Sequence, residues 1–355
     1  MRLLAAIWPP QSLASISNVQ YGPRARHVLD IYRPSGATTL PTVPLVLHVH
    51  GGDWQRGSKN DRWRGAPVAG EAYARSGCVA VVISYRLAPP STFSCLFRAF
   101  IFALVLSALV TLVAWPFRWL AAISFATLFS AYVLPCTLVA SFAHKAVTHC
   151  SDAYSRHPHQ ADDIALAVQW CRDHIGEYAP EVLHTAETVP RGLVLSGHSA
   201  GAHLTALLIS DGQYLADIQV DPAFVRGVVA ISGVYSLTGP LADRQRACNA
   251  LFRCTYGASA VGSSCSRKTL VDASPLQHVH SRLPAFLILS AQSDFGLEAD
   301  AERFVRALAA AGVEHEYHTI AGTDHATIAN KFDRNGALDV VVPFVRRVTQ
   351  CSRVS

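Results

Sequence analysis

The pentapeptide Gly197-His198-Ser199-Ala200-Gly201 constrains this chain more than any other feature, because of what flanks it. An apolar run, Gly192-Leu193-Val194-Leu195-Ser196, precedes it, and a helix-compatible run, Ala202-His203-Leu204-Thr205-Ala206-Leu207-Leu208, follows. A strand that turns abruptly into a helix leaves the central serine on a strained corner, its hydroxyl projecting past the sheet edge. Glycines on either side remove the Cβ atoms that would collide where helix and strand crowd together. An isolated G-x-S-x-G is a common loop, but framed by strand and helix it makes Ser199 a candidate nucleophile.

A serine hydroxyl is a weak nucleophile until a positioned imidazole takes its proton, so an acid and then a histidine are expected downstream. Pro284-Ala285-Phe286-Leu287-Ile288-Leu289-Ser290 reads as a buried strand, with Asp294 just beyond it. Residues 298–311 read as a helix ended by Gly312, followed by a strand around Glu316–Ile320 and a loop, residues 321–325, that carries His325. Rivals rank lower on position. His318 falls within the strand, His203 on the helix behind the corner, Asp300 inside a helix, and Asp324 beside the histidine in sequence. Asp294 and His325 are therefore the candidate acid and base.

Leu45–His50 reads as a strand running into Gly51-Gly52-Asp53-Trp54. His-Gly-Gly is a frequent turn, yet upstream of a serine corner it suits backbone N–H donors for a developing oxyanion. Gly51, Gly52 and Ala200 are the expected donors. The Asp53 carboxylate should point away from such a site and pair elsewhere. Trp54 and His198 are candidate substrate-binding residues.

These motifs together resemble the α/β-hydrolase esterases of the hormone-sensitive-lipase type and their relatives, the kynurenine formamidases and isoprenylcysteine methylesterases. The matching residues are Tyr21-Gly22-Pro23, Leu29-Asp30-Ile31-Tyr32-Arg33-Pro34, His50-Gly51-Gly52-Asp53-Trp54 with Gly57, Ser84-Tyr85-Arg86-Leu87-Ala88-Pro89, and the serine pentapeptide with Asp294 and His325. The resemblance implies a doubly wound, mostly parallel α/β sheet and a catalytic triad of Ser199, Asp294 and His325. It implies no cofactor.

The chain departs from that pattern after Pro89. The expected continuation returns only at His157-Pro158-His159-Gln160-Ala161-Asp162-Asp163, with Trp170 in the helix beyond. The histidines and aspartates there have ligand chemistry, but their place at a helix entry favours capping and surface roles, and no metal is expected. Between lies a hydrophobic insertion: Ala99–Phe117 and Trp119–Ala143 carry no charged residue. Each is long enough to cross a hydrocarbon core of ~30 Å as a helix. Trp115-Pro116-Phe117-Arg118-Trp119 between them suits an interfacial turn. The alternative is a buried helical pair capping the domain. Two crossings, unlike one, return the chain to the same side. The expectation is one catalytic domain, residues 1–90 and 151–355, interrupted at 91–150 by a transmembrane hairpin over residues 96–143. Arg86, Arg98, Lys145 and Arg156 flank the pair against Arg118 in the turn, which points to a catalytic domain on the cytoplasmic face.

Charged residues are 15% and apolar ones 50% of the chain, which agrees with a membrane segment since soluble domains average ~25% charged. The net charge of +5 comes without a basic cluster, so nucleic acid is not an expected partner. The first ten residues have too short an apolar run for a signal peptide. Nine cysteines lack a C-x-x-C pair and define neither a zinc site nor a disulfide framework, although Cys248, Cys254 and Cys265 crowd one segment. The leading expectation is a membrane-associated serine ester hydrolase acting on a hydrophobic acyl or prenylcysteine methyl ester. A formamidase-like amidase is the alternative from the same chemistry, and a non-catalytic membrane scaffold the alternative from another class.

Overall fold

The computed structural model describes residues 13–35, 43–88, 155–183, 190, 192–238 and 267–350. The expected hairpin, residues 96–143, and the cysteines at 248, 254 and 265 lie outside the described residues, as does Pro89. Eight strands form one sheet in the order β1-β2-β4-β3-β5-β6-β7-β8. They are β1 Leu13–Gln20, β2 Val28–Pro34, β3 Leu45–Val49, β4 Val79–Ile83, β5 Leu193–His198, β6 Val225–Ile231, β7 Ala285–Ser293 and β8 His315–Asp324. β2 runs antiparallel to β1 and β4, and the remaining neighbours are parallel.

Strands buried on both faces are largely apolar, and β3, β4 and β5 are buried at every position, with the polar His48 and Ser196 bonded to each other at 3.0 Å. Alternate side chains enter two cores. Leu45, Leu47 and Val49, with Val79, Val81 and Ile83, face α2 (His159–Tyr178), α3 (Ala200–Ser210) and α6 (Leu297–Ala310). Val46, Ala80, Val82 and Val194 face α1 (Ala66–Arg75) and α8 (Leu338–Gln350). Short helices α4 (Gln213–Ala216), α5 (Arg267–Asp272) and α7 (Thr327–Asn330) complete the described set.

The expected strands and helices around Ser199 and Asp294 are found within a few residues of their predicted ends. β8 is a correction: it runs on through Asp324, so the predicted loop shrinks to the residues around His325. A register irregularity between Ala291 and Ser293 lets β7 and β8 stay paired as far as Ser293 and Asp324. In the parallel part of the sheet, the C-terminal ends of β3, β5, β7 and β8 therefore deliver Gly51, Ser199, Asp294 and His325 to one edge, where open α/β sheets place their sites.

Candidate active site

Ser199 sits between the last residue of β5 and the first of α3 with φ 54° and ψ −119°. Positive φ is unfavourable for a residue with a Cβ and persists only where the surroundings fix it. Here the Ser199 N–H donates to the Ile231 carbonyl at 2.8 Å, and its own carbonyl accepts from His203 N–H at 3.0 Å. Gly201 explains how the helix can start so close to β3: a Cβ there would fall on the carbonyl oxygen of Val49.

His325, at the end of β8, brings the other two groups together. Its Nε2 lies 2.9 Å from Ser199 Oγ and its Nδ1 2.5 Å from Asp294 Oδ1. A carboxylate can only accept, so Nδ1 carries the proton and Nε2 offers its lone pair to the serine hydroxyl. The second oxygen of Asp294 accepts from the Ala291 N–H at 3.1 Å, which leaves this 1% exposed carboxylate fixed on both oxygens. The His325 backbone is anchored as well, its carbonyl accepting from His198 Nε2–H at 2.9 Å. Burial pushes the His198 imidazole well below its usual pKa, so it stays neutral beside His325.

The rival groups are engaged elsewhere. Asp300 accepts from Tyr235 N–H at 2.6 Å and Ser236 N–H at 3.0 Å, and burial raises its carboxyl pKa. Asp324 accepts the N–H groups of Ala326 and Thr327 at the start of α7. His318 faces Glu316 at 3.4 Å. His203 is buried, accepts from the Trp54 indole at 3.2 Å and donates to the Ala273 carbonyl at 2.8 Å.

The His50-Gly51-Gly52 turn lies directly against the serine. A Cβ on Gly51 would sit 3.1 Å from Ser199 Cβ and 2.7 Å from His198 Nδ1, so this approach requires glycine. His50 Nδ1–H donates to the Gly51 carbonyl at 2.7 Å. In a trans peptide the carbonyl and the next N–H point in opposite directions, so this bond turns the Gly52 N–H away from His50. Ala200 opens α3, where the first N–H groups have no intrahelical acceptor and the helix end is electropositive. Asp53 does point away, its carboxylate 3.1 Å from Arg56 Nη2. Trp54 and His198 are 3% and 4% exposed, and both have partners within the fold. The Trp54 carbonyl accepts from Ala88 N–H at 2.7 Å and Gln160 Nε2 at 3.0 Å.

Asp163 corrects the expected surface role. It is 1% exposed and meets Arg86, 2.5 Å away, and His27, 3.0 Å away. Desolvation opposes its charge, but the hydrogen bonds from His27 and Arg86 prevail and lower its pKa. Arg86 and Asp163 stand on opposite sides of the insertion, and Ser155 N–H donates to the Leu87 carbonyl at 2.8 Å beside them. Both charged residues sit in motifs visible in the sequence, but their partnership was hidden by the chain between them. Among the described residues no group of three His, Cys, Asp or Glu is arranged to hold a metal ion.

Comparison with known proteins agrees with this architecture. Residues 153–329 match a family model described as alpha/beta hydrolase fold, and residues 29–98 match a second, BD-FAE. The chain is an α/β-hydrolase of the esterase group. Kynurenine formamidase of Danio rerio is 24% identical over 316 residues, 88% of this chain and 75% of that protein. The probable carboxylic ester hydrolase LipM of Mycobacterium tuberculosis is 23% identical over 284 residues, 79% of this chain but 47% of that protein. This α/β-hydrolase thus spans about half the length of its mycobacterial relative. In fold it is similar to a truncated carbohydrate esterase from gut microbiota, with a TM-score of 0.59 at 16% identity over 96% of this chain and 98% of the other. An inhibited esterase B from Lactobacillus rhamnosis gives 0.57 at 14% identity over 98% and 90%.

Proposed function

We propose that this carboxylesterase-like hydrolase works through Ser199 as nucleophile, His325 as general base and acid, and Asp294 as the group that orients the imidazole. The reading is carried by one imidazole with its two nitrogens 2.5 Å from a buried carboxylate and 2.9 Å from a serine hydroxyl. Ser199 Oγ bonds to the ester carbonyl carbon as its proton passes to His325 Nε2. The oxyanion accepts from the N–H groups of Gly51, Gly52 and Ala200. Collapse breaks the bond to the alcohol oxygen, which takes the proton from His325 and leaves an acyl-Ser199. Water, deprotonated by the same nitrogen, releases the acid and restores the serine.

The substrate we propose is a hydrophobic acyl or prenylcysteine methyl ester at a membrane, with residues 96–143 forming a two-helix hairpin and the catalytic domain on the cytoplasmic face. Among the described residues no helix is long and apolar enough to cross a membrane, so this reading rests on the two uncharged stretches of the sequence. It draws support from the stem geometry: the chain departs after β4, at the sheet edge that carries Ser199, and returns one hydrogen bond away at Ser155. A formamidase reading is favoured by the Danio rerio relative, since the same groups cleave a formamide when nitrogen is the leaving atom.

Fluorophosphonate labelling of carbonate-washed membranes tests the proposal. Ser199→Ala should abolish labelling and lower kcat by roughly 10⁴-fold or more. Undiminished labelling of that variant refutes the nucleophile, and release of the wild type by carbonate refutes the hairpin. Hydrolysis of an aryl formamide in preference to every ester tested selects the amidase.

A further inference from the structure

Immediately after Asp294 the backbone passes through two left-handed residues, Phe295 at φ 55° and Gly296 at φ 85°. The turn is closed on both sides. Leu297 N–H donates to the Asp294 carbonyl at 2.9 Å, and Asp294 N–H donates to the Glu298 carboxylate at 2.8 Å. Glycine takes such a φ freely, but a phenylalanine is strained there. Core packing does not explain its presence, because Phe295 is 78% exposed, like Trp63 a large apolar side chain left in solvent. Its ring instead flanks the His325 imidazole, centroids 5.4 Å apart and planes at 53°. The other neighbour of that imidazole, the His198 ring 5.0 Å away, is enclosed. A strained, solvent-facing aromatic beside the group that moves the proton is a pattern of functional sites.

We propose that Phe295 is the wall of the leaving-group subsite and selects substrates whose departing group carries an aromatic ring. This rests on the triad reading above and on the acyl-ester form of the substrate, since the methanol that departs from a methyl ester carries no ring. The acyl part of the substrate stays bonded to Ser199, whereas the departing atom must receive the proton held on His325 Nε2, so the departing group exits past that imidazole. The exposed ring beside that imidazole is Phe295. Aromatic rings favour offset or edge contacts at centroid separations of about 4.5–7 Å, which a planar ring on the departing side reaches and a short alkyl group does not.

Ethyl, cyclohexylmethyl and benzyl acetate share one acyl group and differ only in what departs. In the full chain, Phe295→Asn should lower kcat/KM for the benzyl ester about tenfold and for the ethyl ester less than about twofold. Phe295→Leu should abolish the preference for benzyl over cyclohexylmethyl. All three esters form the same acetyl-Ser199, from which the departing group has already gone, so the rate of its breakdown after the burst should be the same for the three esters and unchanged by either substitution. Asparagine tolerates positive φ better than phenylalanine, so Phe295→Asn should also raise Tm, which separates lost selectivity from lost folding. Parallel losses on the three esters, or a changed rate of acetyl-enzyme breakdown, overturn the subsite while leaving the triad intact. Absence of Ser199-dependent turnover in the wild type overturns both.

Discussion

Acid should unfold this protein through histidines that its core holds neutral. His48, His50 and His203 are buried, and burial lowers their pKa values from 6.5 to about 4, 3 and 3. His198 is displaced in the same direction for the same reason. In the unfolded chain each binds a proton near its ordinary pKa, so below pH 6.5 the unfolded state holds protons that the native state refuses. The stability these groups contribute is complete above 6.5 and is lost as pH falls towards the folded values. At about pH 5 the loss is roughly 2 kcal/mol for each, or about 6 kcal/mol for His48, His50 and His203 together. Asp300, raised by burial, opposes this modestly because its native form takes up a proton more readily. Against a total stability of about 5–15 kcal/mol, the midpoint of acid unfolding should lie between about pH 5.5 and 4. Urea melts followed by circular dichroism from neutral to acid pH measure the slope directly. His48→Gln should remove about one proton from the uptake on unfolding near pH 5. A stability that is flat between about pH 7 and 5 would show that these imidazoles are protonated in the native state, and the reasoning would fail.

Gly51→Ala should lower kcat by about 10²–10³-fold, the cost of losing an oxyanion donor, because the new Cβ would meet His198 Nδ1 at 2.7 Å and the His198 carbonyl at 2.9 Å. Steady-state kinetics check it, and an unchanged kcat would remove the turn from the oxyanion site. Asp163→Ala leaves Arg86 without its buried counter-charge and His27 without its hydrogen-bond partner, and should cost about 3–5 kcal/mol in urea unfolding. Asp162→Ala, next in sequence but exposed with His159, should cost less than about 1 kcal/mol.

The corner around Ser199 was legible because everything that makes it is local: an apolar run, two close glycines and a helix within a few residues. Asp294 and His325 were legible by chain order, since each follows a strand and the parallel sheet brings strand ends to one edge. The length of β8 was not, because it depends on an irregular pairing with β7 that no single segment encodes. The buried role of Asp163 was hidden for a related reason. Its sequence neighbours, His159 and Asp162, are exposed, whereas its partners lie 77 and 136 positions earlier, at Arg86 and His27. His48 reads as one residue of an apolar strand. Only the fold shows its Nδ1 3.0 Å from Ser196 Oγ, which also meets the Tyr73 hydroxyl at 2.9 Å.

The stem of the insertion links two parts of the protein that the sequence treats separately. Arg86 and Asp163 lock the outgoing and returning strands of chain together, and Ser155 N–H to Leu87 closes the gap between them. The catalytic domain therefore does not depend on what lies between to hold β4 and α2 in place. The same stem reaches the His50-Gly51-Gly52 turn, because Ala88 N–H and Gln160 Nε2 both donate to the Trp54 carbonyl. Gln160 also donates to the Arg86 carbonyl at 3.2 Å, so one buried amide ties the stem to the turn two residues beyond Gly52. A long segment inserted at a floppy loop would pull on the sheet edge as it moved. When it is inserted at a stem closed by a buried ion pair, its pull falls on Arg86 and Asp163 before it reaches Gly51 and Gly52. That order of restraint is what the proposed hydrolase needs if residues 96–143 are anchored in a bilayer while the proposed donors stay aligned to about half an ångström.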